Sequence, residues 1–247
     1  EKRKLGYEDV YPVLYLKYRL SRQAERSNIK HLVIDEMQDY SRLQYLIIQR
    51  MFSCKMTILG DRAQTMADQQ QDVLQFLPGI FGKDLRRIEM RKSYRNTVEI
   101  ASYAANLIGV TDLELFERHE MPVLERNVTD LEAALREAVD TLFPEEKTYE
   151  TAAVIVPDEK TAERAYLILR EILAEKDFDC EKRLSWLNRD SSSFKKGLTV
   201  TTFYLAKGLE FDQVFSIFPK DEKREMMMQA QYIAATRALH ELRVYHI

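Results

Sequence analysis

Two short apolar runs stand out in the first third of the chain, Ile29 to Ile34 and Met56 to Leu59, each closed by acidic residues. Their length and flanks predict buried strands, and the stretch between them, about 42–52, has helical spacing. Upstream, residues 8–26 place Val10, Val13, Leu14 and Leu20 at helical intervals, with Pro12 tolerable only near the start. The same alternation resumes later. A helix is predicted over 97–108 from Thr97, and another over 130–142, where Thr129 and Glu132 have the spacing of a capping box. Ala152 to Val156 reads as a strand stopped by Pro157, followed by an amphipathic helix to about Leu173. Residues 177–196 read as polar and irregular. Leu198 to Phe203 and Val214 to Phe218 read as strands, and a helix from about Glu222 to Leu239 leads into a closing strand, Leu242 to His246. Apolar strands alternating with helices predict an α/β fold, with parallel sheets covered by helices.

Composition adds the domain count. The 247 residues are 45% hydrophobic and 31% charged, a globular balance whose length favours two domains over one. Residues 1–92 hold 17 Lys/Arg against 12 Asp/Glu and the remainder 20 against 28, so the halves carry +5 and −8. That shift predicts domains at 1–92 and 93–247. Neither half has the strongly basic stripe of a protein that binds nucleic acid by charge alone. No run approaches the roughly 18 apolar residues of a membrane span, and no signal sequence opens the chain. Cys54 and Cys180 cannot make a disulfide framework. The expectation is a cytoplasmic protein with no membrane association. His31, His119, His240 and His246 lack metal-ligand spacing and read as structural or surface residues. Met226-Met227-Met228 reads as helix packing, and Trp186 as the anchor of a loop.

The strongest local chemistry is Val33-Ile34-Asp35-Glu36-Met37-Gln38-Asp39-Tyr40. Adjacent acids at the carboxyl end of a strand lie where open α/β sheets bind ligands. One such acid can hold Mg²⁺ through water while its neighbour polarises an attacking water. The second strand ends similarly, in Gly60-Asp61-Arg62-Ala63-Gln64, and a glutamine there suits sensing a terminal phosphate. Taken one at a time, each of these tips also reads as a plain turn or helix cap.

In order, these segments resemble the motor core of superfamily 1 helicases of the UvrD/Rep type. Val33 to Tyr40 looks like motif II and Gly60 to Gln64 like motif III. Ser93-Tyr94-Arg95-Asn96-Thr97 resembles motif IV, Thr202 with Ala206 to Phe211 motif V, and Gln231 to Ala238 motif VI. Tyr15-Leu16-Lys17, Arg91 to Arg95 and Tyr204 to Lys207 look closest to the HelD-like branch. The resemblance implies RecA-like domains that hydrolyse ATP with Mg²⁺ at their interface and move on single-stranded or duplex DNA. It makes Asp35 the Mg²⁺ residue, through water, and Glu36 the base. Gln64 would couple the γ-phosphate to nucleic acid, and Arg95 and Arg237 would reach that phosphate. Gln38, Tyr94, Gly208 and Glu210 would join the nucleotide-binding set, with Tyr94 beside the base and Glu210 on the ribose. Thr202 and Tyr204 would face the nucleic acid, although position 204 in the family is more often His.

The sequence departs from that pattern in two ways. No Gly-x-x-x-x-Gly-Lys-[Ser/Thr] occurs in it, and Gly79-Ile80-Phe81-Gly82-Lys83-Asp84 has the wrong spacing and no hydroxyl. Without such a loop nothing cradles the β- and γ-phosphates. The expectation is therefore a partial first motor domain and a second one, inactive alone and needing an upstream half of the motor in cis. Glycine is also scarce, at about 3% against a usual 7%. The other departure follows Gln64, where Thr65-Met66-Ala67-Asp68-Gln69-Gln70 stands in place of aromatics that stack on bases. That loss and the acidic second half suit an alternative, a module docked on a protein partner, RNA polymerase for a HelD-like remodeller. The short 177–196 segment implies that the large auxiliary subdomain of UvrD-like proteins is absent.

Overall fold

The computed structural model describes residues 4–20, 28–65, 72–82, 85–111, 113–176, 178–191, 195–220 and 225–247. The chain divides into two compact units, Glu1–Glu89 and Met90–Ile247, a few residues ahead of the boundary read from the charge shift.

In the first unit, α1 spans Val10–Leu20, β1 His31–Ile34, α2 Arg42–Met51, β2 Lys55–Ile58 and α3 Val73–Phe81. Of the expected 8–26 helix, residues 21–27 lie outside the described residues. β1 and β2 pair in parallel, His31 with Lys55 through Ile34 with Ile58. The capping box of α2 is complete, with Ser41 Oγ accepting from Gln44 N–H at 3.3 Å and Gln44 Oε1 accepting from Ser41 N–H at 2.6 Å. Ile34, Tyr45, Val73, Leu77 and Ile80 form the core. The two strands are half-buried where fully buried strands were expected. Ile34 faces that core, whereas its neighbour Val33 is 60% exposed, because α2 and α3 pack on one face. α3 was not expected from residue spacing. The helix runs through Pro78 and ends at Gly82, where φ is 83° and the N–H bonds to Pro78 O at 3.0 Å.

The second unit contains β3 (Lys92–Ser93), α4 (Val98–Ile108), β4 (Glu114–Leu115), β5 (Leu124–Asn127), α5 (Leu131–Asp140), β6 (Thr151–Val156), α6 (Glu159–Ala174) and α7 (Cys180–Arg183). β7 (Leu184–Trp186), β8 (Gly197–Thr202), β9 (Phe211–Phe218), α8 (Glu225–Ala235) and β10 (Ala238–His246) complete it. Its six-stranded sheet, ordered β5-β10-β9-β6-β8-β7, is parallel throughout. β3 and β4 form a separate parallel pair. Alternate residues Ala152, Val154 and Val156 of β6 and Phe215 and Ile217 of β9 face α5 and α6, packing on Leu135, Ala138, Ala165 and Leu169. α4 and α8 pack on each other and on β10. The expected class, α/β with parallel sheets flanked by helices, is the one observed. No helix among the described residues is long and apolar enough to cross a membrane.

Three boundaries differ from expectation. Asp130, not Thr129, caps α5 and accepts from Ala133 N–H at 2.9 Å, since a carboxylate serves both the free N–H groups and the helix dipole. The 177–196 stretch contains an edge strand, and Trp186 sits in it, stacked on Tyr166 at 6.0 Å. The last helix stops at Ala235 instead of Leu239. Thr236 Oγ1 and Arg237 Nε both donate to Ile233 O, at 2.9 and 3.2 Å, and the covered carbonyl ends the helix. β4, β5 and the start of β9 at Phe211 also escaped the pattern.

Candidate active site

Asp35 and Glu36 follow β1 directly and Gly60 to Gln64 lie just past β2, so in-register parallel pairing brings both tips to one end of the sheet. The ladder runs on past the strands, with Leu59 N–H donating to Ile34 O and Met37 N–H to Leu59 O, both at 2.8 Å. Asp35 is exposed, and its Oδ1 accepts from Glu36 N–H at 2.8 Å. Glu36 is left-handed, at φ 52° and ψ 52°, a conformation that costs a residue with a Cβ roughly 1–2 kcal/mol.

Gln38, 8% exposed, uses both ends of its amide. Nε2 donates to Glu36 Oε2 at 2.5 Å, and Oε1 accepts from Asp61 N–H at 3.1 Å. The Asp61 carboxylate in turn accepts from Ala63 N–H at 2.9 Å and from Gln64 Nε2 at 3.0 Å. A continuous hydrogen-bonded line therefore runs from Gln64 through Asp61 and Gln38 to Glu36. Gly60 leaves room for it, because a Cβ there would lie 2.5 Å from Gln38 Oε1 and 2.6 Å from Met37 N. Below the tip, buried Tyr45 donates its hydroxyl to Met37 O at 3.0 Å. Burial, with Tyr40 and Asp39 adding, pushes that hydroxyl's pKa well up, so it stays a donor.

A second constellation lies at the amino ends of β9 and β10, where Phe211 pairs with Ala238. Arg95 Nε meets Glu210 Oε1 at 2.6 Å. Asn96 Nδ2 donates to Ala238 O at 2.6 Å and Thr236 O at 3.3 Å. Arg118 donates to Arg95 O and, at 2.6 Å, to Leu239 O. Arg237 is 2% exposed, and its guanidinium donates to Leu209 O at 3.4 Å and Thr236 Oγ1 at 3.1 Å. The segments 93–97, 206–211 and 231–238 are thus held together. Gly208 is exposed with φ 81°, which lets the chain turn between Lys207 and Leu209. Tyr94 is 63% exposed, with its ring 5.8 Å from Phe116 and Lys92 Nζ 5.4 Å from its centroid.

Thr202 and Tyr204 lie elsewhere, at the carboxyl end of β8. Thr202 is buried, its Oγ1 without a hydrogen-bond partner, and Tyr204 donates to Glu159 Oε1 at 3.0 Å beside Arg189. Each histidine has a hydrogen-bond partner: His31 with Thr57, His119 with Glu99, His240 with Glu120 and His246 with Glu125. Met227 is buried between exposed Met226 and Met228. Residue spacing alone missed Arg118 and Tyr45, which act on backbone carbonyls far away in sequence. The single signal for Tyr45 was its place on the apolar face of α2, and Arg118 offered none.

These features define a parallel α/β protein with an acid pair at a strand tip, wired to a second strand tip. Residues 6–66, within this first unit, match the family described as UvrD/REP helicase N-terminal domain. No curated protein matches the chain. Among solved structures, it is similar to the C-terminal domain of a possible DNA helicase from Lactobacillus plantarum WCFS1, with 23% identity, 63% of this chain and 88% of that chain covered, and a TM-score of 0.48. It is also similar to the PRRSV helicase, at 17% identity, 88% and 35% coverage and a TM-score of 0.47. The arterivirus nonstructural protein 10 helicase in complex with DNA shows 14% identity, 91% and 41% coverage and a TM-score of 0.46. The chain spans less than half the length of these two viral helicases.

Proposed function

We propose that the chain supplies part of an ATP-driven motor that moves on DNA, with Glu36 as the base for hydrolysis. The observation carrying this reading is the hydrogen-bonded line from Gln64 to Glu36 across two adjacent strand tips. Glu36 takes a proton from the attacking water as the water oxygen bonds to the γ-phosphorus. The bond from that phosphorus to the bridging oxygen then breaks, releasing ADP and phosphate. The donor set fits a hard cation held partly by water. Asp35 offers an exposed carboxylate at the strand tip, an oxygen ligand of the kind such a cation takes. Mg²⁺ bound beside Asp35 would neutralise charge on the phosphate oxygens. Arg95 and Arg237 supply the cations for the γ-phosphate, and Tyr94 offers an exposed ring to the base. The phosphate loop, absent from these 247 residues, has to come from outside them.

The test is ATP turnover with and without single-stranded DNA. The full-length protein is expected to hydrolyse ATP faster with DNA, and the 247-residue chain alone to show no turnover. Turnover by the chain alone that Glu36→Gln abolishes would overturn the need for an outside loop.

A second reading, docking on a protein such as RNA polymerase, draws on one observation. Thr202 and Tyr204, expected to face nucleic acid, are buried or bonded inside the second unit. Loss of single-stranded DNA affinity with rising salt supports the first reading, and salt-insensitive, negligible affinity supports the second.

A further inference from the structure

Gln38 holds a position that neither strand tip explains by itself. A carboxylate can meet only the NH₂ end of an amide, and a backbone N–H only its oxygen. With Glu36 on one side and the Asp61 N–H on the other, the orientation of Gln38 is fixed by its partners. The backbone of Asp61 anchors Gln38, while its carboxylate holds the Gln64 amide. A shift of Gln64 therefore pulls on Asp61 and, through Gln38, on the carboxylate of Glu36. Gly60 protects the link, because any side chain there collides with Gln38 Oε1.

We infer that Gln38 is a positioning residue for Glu36, transmitting the placement of Gln64 to the base. This inference rests on Glu36 being the base. Removing the link lowers kcat more than ATP affinity, since Gln38 is buried and its amide is held between Glu36 and the Asp61 N–H. A small misplacement of a catalytic group costs up to about 10²-fold in rate.

The experiment is steady-state ATP hydrolysis by the full-length protein carrying Gln38→Leu, Gln38→Glu, Gln64→Ala and the Gln38→Leu/Gln64→Ala pair. Gln38→Glu keeps an acceptor for the Asp61 N–H but sets a carboxylate against Glu36. Both Gln38 variants are expected to lose tenfold or more in kcat, with a much smaller change in KM for ATP. The double variant is expected to be no slower than the slower single variant, as members of one line are not additive. Gly60→Ala, checked for an intact melting transition, is expected to reproduce the kcat loss. Wild-type kcat in both Gln38 variants, or multiplicative losses in the pair, would overturn the inference. Hydrolysis that survives Glu36→Gln would instead overturn the assignment of the base.

Discussion

Arg95 Nε lies 2.6 Å from Glu210 Oε1, so two residues 115 positions apart, both expected to serve the nucleotide, are each other's partner. Both side chains are about half exposed, and such pairs are worth at most about 1 kcal/mol. Arg95→Ala is therefore expected to move the urea midpoint of the chain very little. In the full-length protein the same change is expected to slow ATP turnover by roughly 10³ or more, as for loss of an arginine that stabilises transition-state charge. A variant that loses stability but keeps its turnover would make Arg95 a structural residue only.

Arg237 stands in a different environment, and its substitution should read differently. Its guanidinium is buried on the carbonyls of Ile233 and Leu209. Arg237→Ala strips donors from buried carbonyls and is expected to cost about 2–4 kcal/mol in urea unfolding. Arg237→Lys is expected to recover little of this, because an ammonium cannot reproduce the fork. In turnover assays Arg237→Ala is expected to lower the hydrolysis rate far more than ATP affinity. Equal losses in both would place Arg237 outside the chemistry.

Acid sensitivity of the second unit should follow Glu99 in the first turn of α4. Burial would raise its pKa, but hydrogen bonds from His119, from the backbone at Glu99 and Glu120 and from Thr97 outweigh that and hold it at about 2, against an ordinary 4.5. With the folded value depressed, the unfolded chain binds the proton first. The stabilisation is complete above about 4.5 and is lost as pH falls from there through about 2. Glu99→Gln is expected to flatten this part of the stability profile, measured as urea midpoints at pH 7, 4 and 3. Parallel profiles for variant and wild type would contradict the assignment.

The parts of this molecule that could be read from residue order share a physical basis. β6 carries a continuous apolar run, Ala152 to Val156, because both of its faces are covered, and Thr97 marks a helix start because a hydroxyl there meets free N–H groups. The acid pair at 35–36 was legible for the same reason, as polarity placed abruptly after an apolar run. Other features depend on contacts that spacing does not encode. α3 hides behind Pro78-Gly79, whose turn chemistry loses to the packing of Val73, Leu77 and Ile80. Gln38 gives no local sign that its amide spans two strand tips. The end of α8 was misplaced because it is set by where the Thr236 and Arg237 side chains donate, not by helix propensity.

The most direct measurement is single-turnover hydrolysis of ATP by the full-length protein with and without Glu36→Gln, alongside nucleotide affinity. Glu36→Gln keeps the size of the side chain and its place beside Gln38 but cannot take a proton. The account predicts that it retains ATP binding and loses hydrolysis by at least the roughly 10²–10⁴-fold typical of a general base. Hydrolysis within a few-fold of wild type in that variant would contradict it.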